Sequence, residues 1–158
     1  MSPINAVKSV FTKYATFRGT ASRSEYWWWT LFSVVVTGVI NAFSGDFENP
    51  NAAVSTIALI WAVGTLIPGL AVTVRRFHDA GLSGKWILTL LIPVSAAIAS
   101  ISQIVGVIDA TVEFSEDTVL AIAGALVPTI LTALAVCLFQ LIVTLLPSKT
   151  AEQGNRHA

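Results

Sequence analysis

The sequence predicts an all-α integral membrane protein: a four-transmembrane-helix bundle with an N-terminal amphipathic interfacial helix and both termini cytoplasmic. Three observations carry that expectation. The 158 residues are 54% hydrophobic and only 11% charged, with a mean hydropathy of +0.75. Soluble domains carry about a quarter charged residues, so this chain lacks the charge to cover a water-soluble surface of its size. Four stretches are free of charged residues and long enough to cross a hydrocarbon core about 30 Å thick. Finally, every Lys and Arg falls on the same side of those stretches.

The elements follow in chain order. Residues 1–17 predict the amphipathic helix. Ser2 and Pro3 suit the N-cap and first-turn positions. Ile4, Val7, Val10, Phe11, Tyr14 and Phe17 recur at three- and four-residue steps, which confines them to an arc of about 140°. Lys8 and Lys13 lie on the opposite face, so the helix suits the surface of the cytoplasmic leaflet; packing on the bundle is the alternative. The expected spans are 26–43, 52–74, 86–108 and 118–146, and 147–158 form a cytoplasmic tail. The first is near the short limit, and the last is long enough to need tilt, a kink or an interfacial extension. The first apolar run begins only at Tyr26 and lacks a small-residue cleavage site, so a retained helix is expected rather than a signal peptide. Connections of about eight, eleven and nine residues make neighbouring helices antiparallel hairpins within one membrane domain, 1–158. Pro68, Pro93 and Pro128 fall inside the later three spans, where proline removes a backbone bond and shapes packing.

Charge sets the orientation. Lys8, Lys13, Arg18 and Arg23 precede the first span, Arg75, Arg76 and Lys85 join the second to the third, and Lys149 and Arg156 follow the fourth. The other two connections hold Asp46, Glu48, Asp109, Glu113, Glu116 and Asp117 without a basic residue. The positive-inside rule then places the basic segments in the cytoplasm. Trp27, Trp28, Trp29 and Trp86 fall where an aromatic belt belongs, as interface anchors.

Several function classes are excluded at this level. Nine basic residues balance nine acidic ones, so no basic field argues for nucleic acid. The single cysteine, Cys137, excludes an internal disulfide framework and a cysteine-based zinc site. The spans contain no Asp, Glu, Lys, Arg or His, and intramembrane ionisable groups are the usual mark of ion-coupled carriers. Asn41, Gln103 and Gln140 are read as interhelical hydrogen-bonding groups, and the small residues Ala96, Ala97, Ala99, Ser100, Ala121, Ala123, Gly124 and Ala125 as close-packing positions.

Concentrated polar chemistry lies only on the cytoplasmic rim. Arg18, Gly19, Arg23 and Glu25 lead into the first span. Arg75, Arg76, His78, Asp79, Gly81, Ser83 and Gly84 link the second to the third. Arg75 and Asp79 are four apart and can pair if the helix continues past the membrane. Gly81 and Gly84 permit the positive φ of a tight reversal. The leading reading is an ion-pair network of Arg18, Arg23, Glu25, Arg75, Arg76 and Asp79 that locks the helix ends. An anion or lipid-headgroup site built from the arginines is the alternative. His78 beside Asp79 does not supply a catalytic geometry, and the chain has no HxxxH or HExxH pattern, phosphate loop or nucleophile elbow.

These two rim segments, FxGxxSRxEYW and VRRxHDxGxSG, resemble the YhaH-like family of small bacterial inner-membrane proteins, DUF805. The matching positions are Phe17, Gly19, Ser22, Arg23, Glu25 and Trp27, then Arg75, Arg76, His78, Asp79, Gly81, Ser83, Gly84 and Trp86. Thr20, Lys85 and His157-Ala158 depart from the family pattern. The resemblance implies a bacterial inner-membrane location and assigns no activity. The missing catalytic and transport signatures, the uncharged spans rich in small residues and the basic amphipathic helix as a docking surface give the expectation: a non-catalytic protein without cofactor or metal, an accessory or scaffolding subunit of a larger respiratory or envelope complex. Its expected partners are the lipid bilayer and other membrane-protein subunits, with anionic lipid as a further partner. The alternatives are a small homo-oligomeric transporter or channel for an anionic solute, and a lipid-headgroup-binding protein.

Overall fold

The computed structural model describes residues 1–45, 51–110 and 115–150. Five α-helices and one 3₁₀ segment account for the regular structure, with no strand among the described residues: α1 Pro3–Thr12, α2 Arg23–Ala42, α3 Ala52–Asp79, the 3₁₀ segment Gly84–Leu90, α4 Leu91–Ala110 and α5 Glu116–Leu145. Contacts divide the chain into two compact units, Met1–Trp86 with Thr144–Ala158, and Ile87–Val143.

In the first unit α1, α2 and α3 pack together. Ser2 caps α1, its side chain accepting from Asn5 N, with Pro3 in the first turn. The helix ends at Thr12 rather than running to residue 17: the Lys13 N–H closes on Ser9 O, and Lys13 leaves helical geometry at φ −99°, ψ 37°. Packing on the bundle, the alternative reading of α1, is present. Ala6 and Val10 are fully buried, and Val7 packs against a core of Val10, Ala21, Trp29 and Val72. Ile4, Phe11, Tyr14 and Phe17 remain exposed in this chain alone. The packed face is thus turned toward Ala6, a small residue that permits close approach.

Trp29 is 4% exposed and makes an edge contact with Phe11 at 5.2 Å between ring centroids. It is a core residue, which corrects its expected place in an aromatic belt. It is two positions beyond Trp27 and one beyond Trp28 on a helix turning about 100° per residue, so it faces α1 while Trp27 and Trp28 stay exposed. Gly69 of α3 faces this ring, and a β-carbon there would lie at ordinary contact distance, 3.8 Å from Trp29 Nε1. Further along, Trp61 Nε1 donates to Thr37 Oγ1 at 3.1 Å and its ring meets Phe32 at 5.9 Å.

Pro68 lies inside α3 and has no N–H to offer the Gly64 carbonyl one turn earlier. The Tyr14 hydroxyl donates to that carbonyl at 2.6 Å. The bond lost to proline is thereby replaced from outside the helix.

In the second unit α4 and α5 meet through small and hydroxyl residues. Ser100 Oγ donates to Ala125 O at 2.5 Å and lies 2.6 Å from Thr129 Oγ1, a close approach of the kind membrane helices use. The expected third span begins as a 3₁₀ segment, and α4 starts only two residues before Pro93. Proline is tolerated in a first turn but would clash with a carbonyl four residues earlier in a continuous helix.

Three helices are long and apolar enough to cross a membrane among the described residues: Ala52–Asp79, Gly84–Val107 and Glu116–Leu145. The 20-residue α2 is long enough but falls short in apolarity. Its first half holds Arg23, Ser24, Glu25 and three consecutive tryptophans, whose indoles favour interfaces over hydrocarbon. A fourth span is thus an expectation that this criterion does not meet.

Candidate functional site: the polar rim

The polar residues of both rim segments converge where α1, the start of α2, the end of α3 and the chain after α5 come together. Ser22 caps α2, its Oγ accepting from Glu25 N at 3.2 Å, so the helix starts at Arg23 rather than at Tyr26. The Ser-x-x-Glu spacing is that of a capping box, but the Glu25 carboxylate turns elsewhere. Glu25 Oε1 accepts from Ser9 Oγ at 3.1 Å and from Arg75 Nη1 at 2.9 Å. Glu25 is 5% exposed and Arg75 1%, so the pair is buried and joins three helices. Two further donors of Arg75, Nε and Nη2, are buried without a hydrogen-bond partner.

Arg76 serves a different set of groups. Its guanidinium donates to Thr144 O at 3.2 Å from Nε and 3.1 Å from Nη2, to Leu146 O, and to the Asp79 carboxylate. Asp79 also accepts from Ser148 Oγ at 2.5 Å, and its backbone carbonyl accepts from Lys149 N at 2.9 Å. Arg23 Nη1 reaches Leu145 O at 3.5 Å. The last turn of α5, whose carbonyls have no partner within the helix, is therefore held by two arginines.

The expected Arg75–Asp79 pair does not form. The helix does continue to Asp79, but Arg75 faces Glu25 and Arg76 takes Asp79 at i,i+3. One residue turns the helix by about 100°, so adjacent arginines serve opposite neighbours. His78 Nδ1 lies 3.2 Å from Gly19 O, and Ala21 N donates to Arg75 O at 3.1 Å, fastening the segment before α2 onto the end of α3. Gly19 and Gly81 take positive φ, 81° and 79°. Gly84 does not, but a β-carbon there would lie 2.8 Å from Val74 Cγ1 and 2.9 Å from His78 Nε2.

Of the expected cluster, Arg23, Glu25, Arg75, Arg76, His78 and Asp79 are brought into these contacts. Arg18 is exposed and has no hydrogen bond or ion pair with another described residue. Ser83 is a turn residue, its Oγ accepting from Lys85 N at 3.4 Å and its carbonyl from Trp86 N at 3.2 Å; Trp86 stays 46% exposed. Residues not singled out from sequence complete the rim: Ser9, Thr144, Leu146 and Ser148. Ser9 sits on the polar face of α1, but its partner Glu25 is 16 residues away. Thr144 and Leu146 act through backbone carbonyls, which leave no mark in residue type, and Ser148 through its hydroxyl, 69 residues from its partner Asp79. Among the described residues no group of three His, Cys, Asp or Glu side chains could hold a metal ion.

The comparisons with known proteins agree with this picture of a membrane chain. Inner membrane protein YhaI of Escherichia coli (strain K12) is 34% identical over 87 residues, covering 54% of this chain and 70% of the relative. Inner membrane protein YhaH of the same organism is 34% identical over 85 residues, covering 53% and 70%. The uncharacterized protein YiiR is 31% identical over 81 residues, covering 49% and 50%. No solved structure matches. The model of the family described as a protein of unknown function, DUF805, matches residues 14–156, and with nearly the whole length covered the chain belongs to that family.

Proposed function

We propose that the chain is a non-catalytic inner-membrane protein acting as an accessory or scaffolding subunit of a larger bacterial membrane complex, respiratory or envelope. In this reading α2 is the first of four spans and both termini are cytoplasmic, as the basic residues favour. One observation carries the reading: most of the rim's polar groups are spent on holding helix ends. Arg75 engages Glu25, Arg76 engages Asp79 and two carbonyls after α3, and His78 engages the Gly19 carbonyl. A constellation consumed in this way fixes a scaffold. It does not leave a base, nucleophile or acid facing an open cleft. Support also comes from the inner-membrane names of the relatives, none of which states an enzymatic activity.

Affinity purification from native membranes in mild detergent, with mass spectrometry and native-gel sizing, tests it. Defined partners in fixed stoichiometry are expected; a monodisperse, partner-free chain overturns the reading. A second reading, an anion- or headgroup-binding rim, is favoured by the partnerless Nε and Nη2 of Arg75. Phosphate or anionic lipid would then raise the melting temperature of the wild type but not of Arg75→Met.

A further inference from the structure

We infer that the groove between α1 and α2 binds one anionic phospholipid, its phosphate on Lys8 and an acyl chain along α2. This inference rests on the membrane location alone and stands whether or not the accessory-subunit reading does. The groove has a volume of about 560 Å³ and is lined by Pro3, Ile4, Lys8, Trp28, Leu31 and Val35 among others, all apolar or aromatic except Lys8.

The charge lies at one end. Ser9 hydrogen-bonds Glu25, which places Lys8 toward the start of α2, while Leu31 and Val35 continue deeper into its apolar stretch. From Trp28 to Val35 is seven residues, about 10 Å of helix. A cation at the rim followed by about 10 Å of apolar wall is complementary to a lipid, whose phosphate sits at the interface and whose chain descends from it. Lys8 is available for that role. It is exposed, and it has no acidic partner among the described residues. Glu25, the carboxylate that the adjacent Ser9 reaches, is already engaged by Arg75 and Ser9. Both walls are fixed, since α1 is capped by Ser2 and held to the bundle by the Ala6, Val10 and Tyr14 contacts. A soluble anion would leave the apolar wall unused, and an apolar peptide would leave Lys8 unpaired.

Native mass spectrometry of the full chain in neutral detergent, with phosphatidylglycerol or phosphatidylcholine added, tests the inference. One retained lipid per chain is expected, with phosphatidylglycerol preferred about fivefold, the effect of one basic residue at an anionic surface. Lys8→Ala, at an exposed position, removes the preference while the helical circular dichroism stays unchanged. Leu31→Trp fills the groove and abolishes retention of both lipids. Val34→Trp, on the same helix but outside the groove and 63% exposed, leaves retention as in the wild type. Equal retention of the two lipids by the wild type, or a preference that survives Lys8→Ala, overturns the inference. So does retention that falls equally in Leu31→Trp and Val34→Trp.

Discussion

The Tyr14 hydroxyl donates to the Gly64 carbonyl at 2.6 Å, the carbonyl that Pro68 leaves without its helical donor. A side chain just beyond α1 thus repairs a break in α3, and the repair ties the segment after α1 to the bundle. Tyr14→Phe is expected to lower stability by about 1–3 kcal/mol, the cost of an unsatisfied carbonyl. Pro68→Ala restores the N–H, so Tyr14→Phe in that background costs less than half as much. Thermal unfolding in detergent measures both; equal losses in the two backgrounds would contradict the account.

Gly84→Ala and Gly81→Ala destabilise for different reasons. At Gly84 the new β-carbon meets Val74 Cγ1 and His78 Nε2 below 3 Å, an overpacking expected to cost about 1–3 kcal/mol. Val74→Ala removes one of those neighbours and recovers part of the loss. At Gly81 the nearest atom is Cδ of Lys149, on a flexible side chain, but φ is +79°, and backbone strain costs about 1–2 kcal/mol. Lys149→Ala therefore does not rescue Gly81→Ala. Comparing the melting temperatures of the single and double variants checks both statements.

Asp79 holds the chain after α5 through Ser148 and Lys149 N while also neutralising Arg76. Asp79→Ala leaves a buried guanidinium without its carboxylate, and a loss of about 3 kcal/mol is expected. The segment from Leu146 onward should come free. Trypsin cleavage after Lys149 reports this directly, rising about tenfold in the variant if that contact confines the segment.

The fourth span has its own test. In a Cys137→Ser background, Lys13→Cys and Thr150→Cys are expected to react with an impermeant maleimide only when the cytoplasmic face is opened. Ala52→Cys should react from outside in intact spheroplasts. If α2 does not cross, Lys13→Cys and Ala52→Cys react alike, and Lys13→Cys and Thr150→Cys, separated by the three spans of α3, α4 and α5, fall into opposite classes.

Much of the helix order was legible because periodicity and charge-free length are properties of residue type. The boundaries of α2 and α3 were less so. A charge-free run marks apolar length, whereas the helices continue into charged sequence: α2 starts at Arg23 behind the Ser22 cap, and α3 carries Arg75, Arg76 and Asp79 within it. The rim residues stood out by type, yet their pairing depended on helix rotation. Spacing favoured Arg75 with Asp79, and about 100° per residue gives Arg75 to Glu25 instead. Trp29 was indistinguishable by type from Trp27 and Trp28; packing of α1, Ala21 and α3 around it buries it. Carbonyl acceptors such as Thr144 O and Gly64 O belong to every residue and could not be read from sequence.

The central claim is that the rim is a structural lock, and its most direct test is a double-mutant cycle on Glu25 and Arg75 in the full-length protein. Removing one member strands the other: Arg75 is 1% exposed and Glu25 5%. Glu25→Leu or Arg75→Met alone is expected to cost about 3–5 kcal/mol, whereas the double variant, with neither charge left buried, costs less than the sum. A coupling of at least about 1.5 kcal/mol is the predicted result. Strictly additive losses, or single variants as stable as the wild type, would show that the pair does not lock the helix ends and would contradict the account.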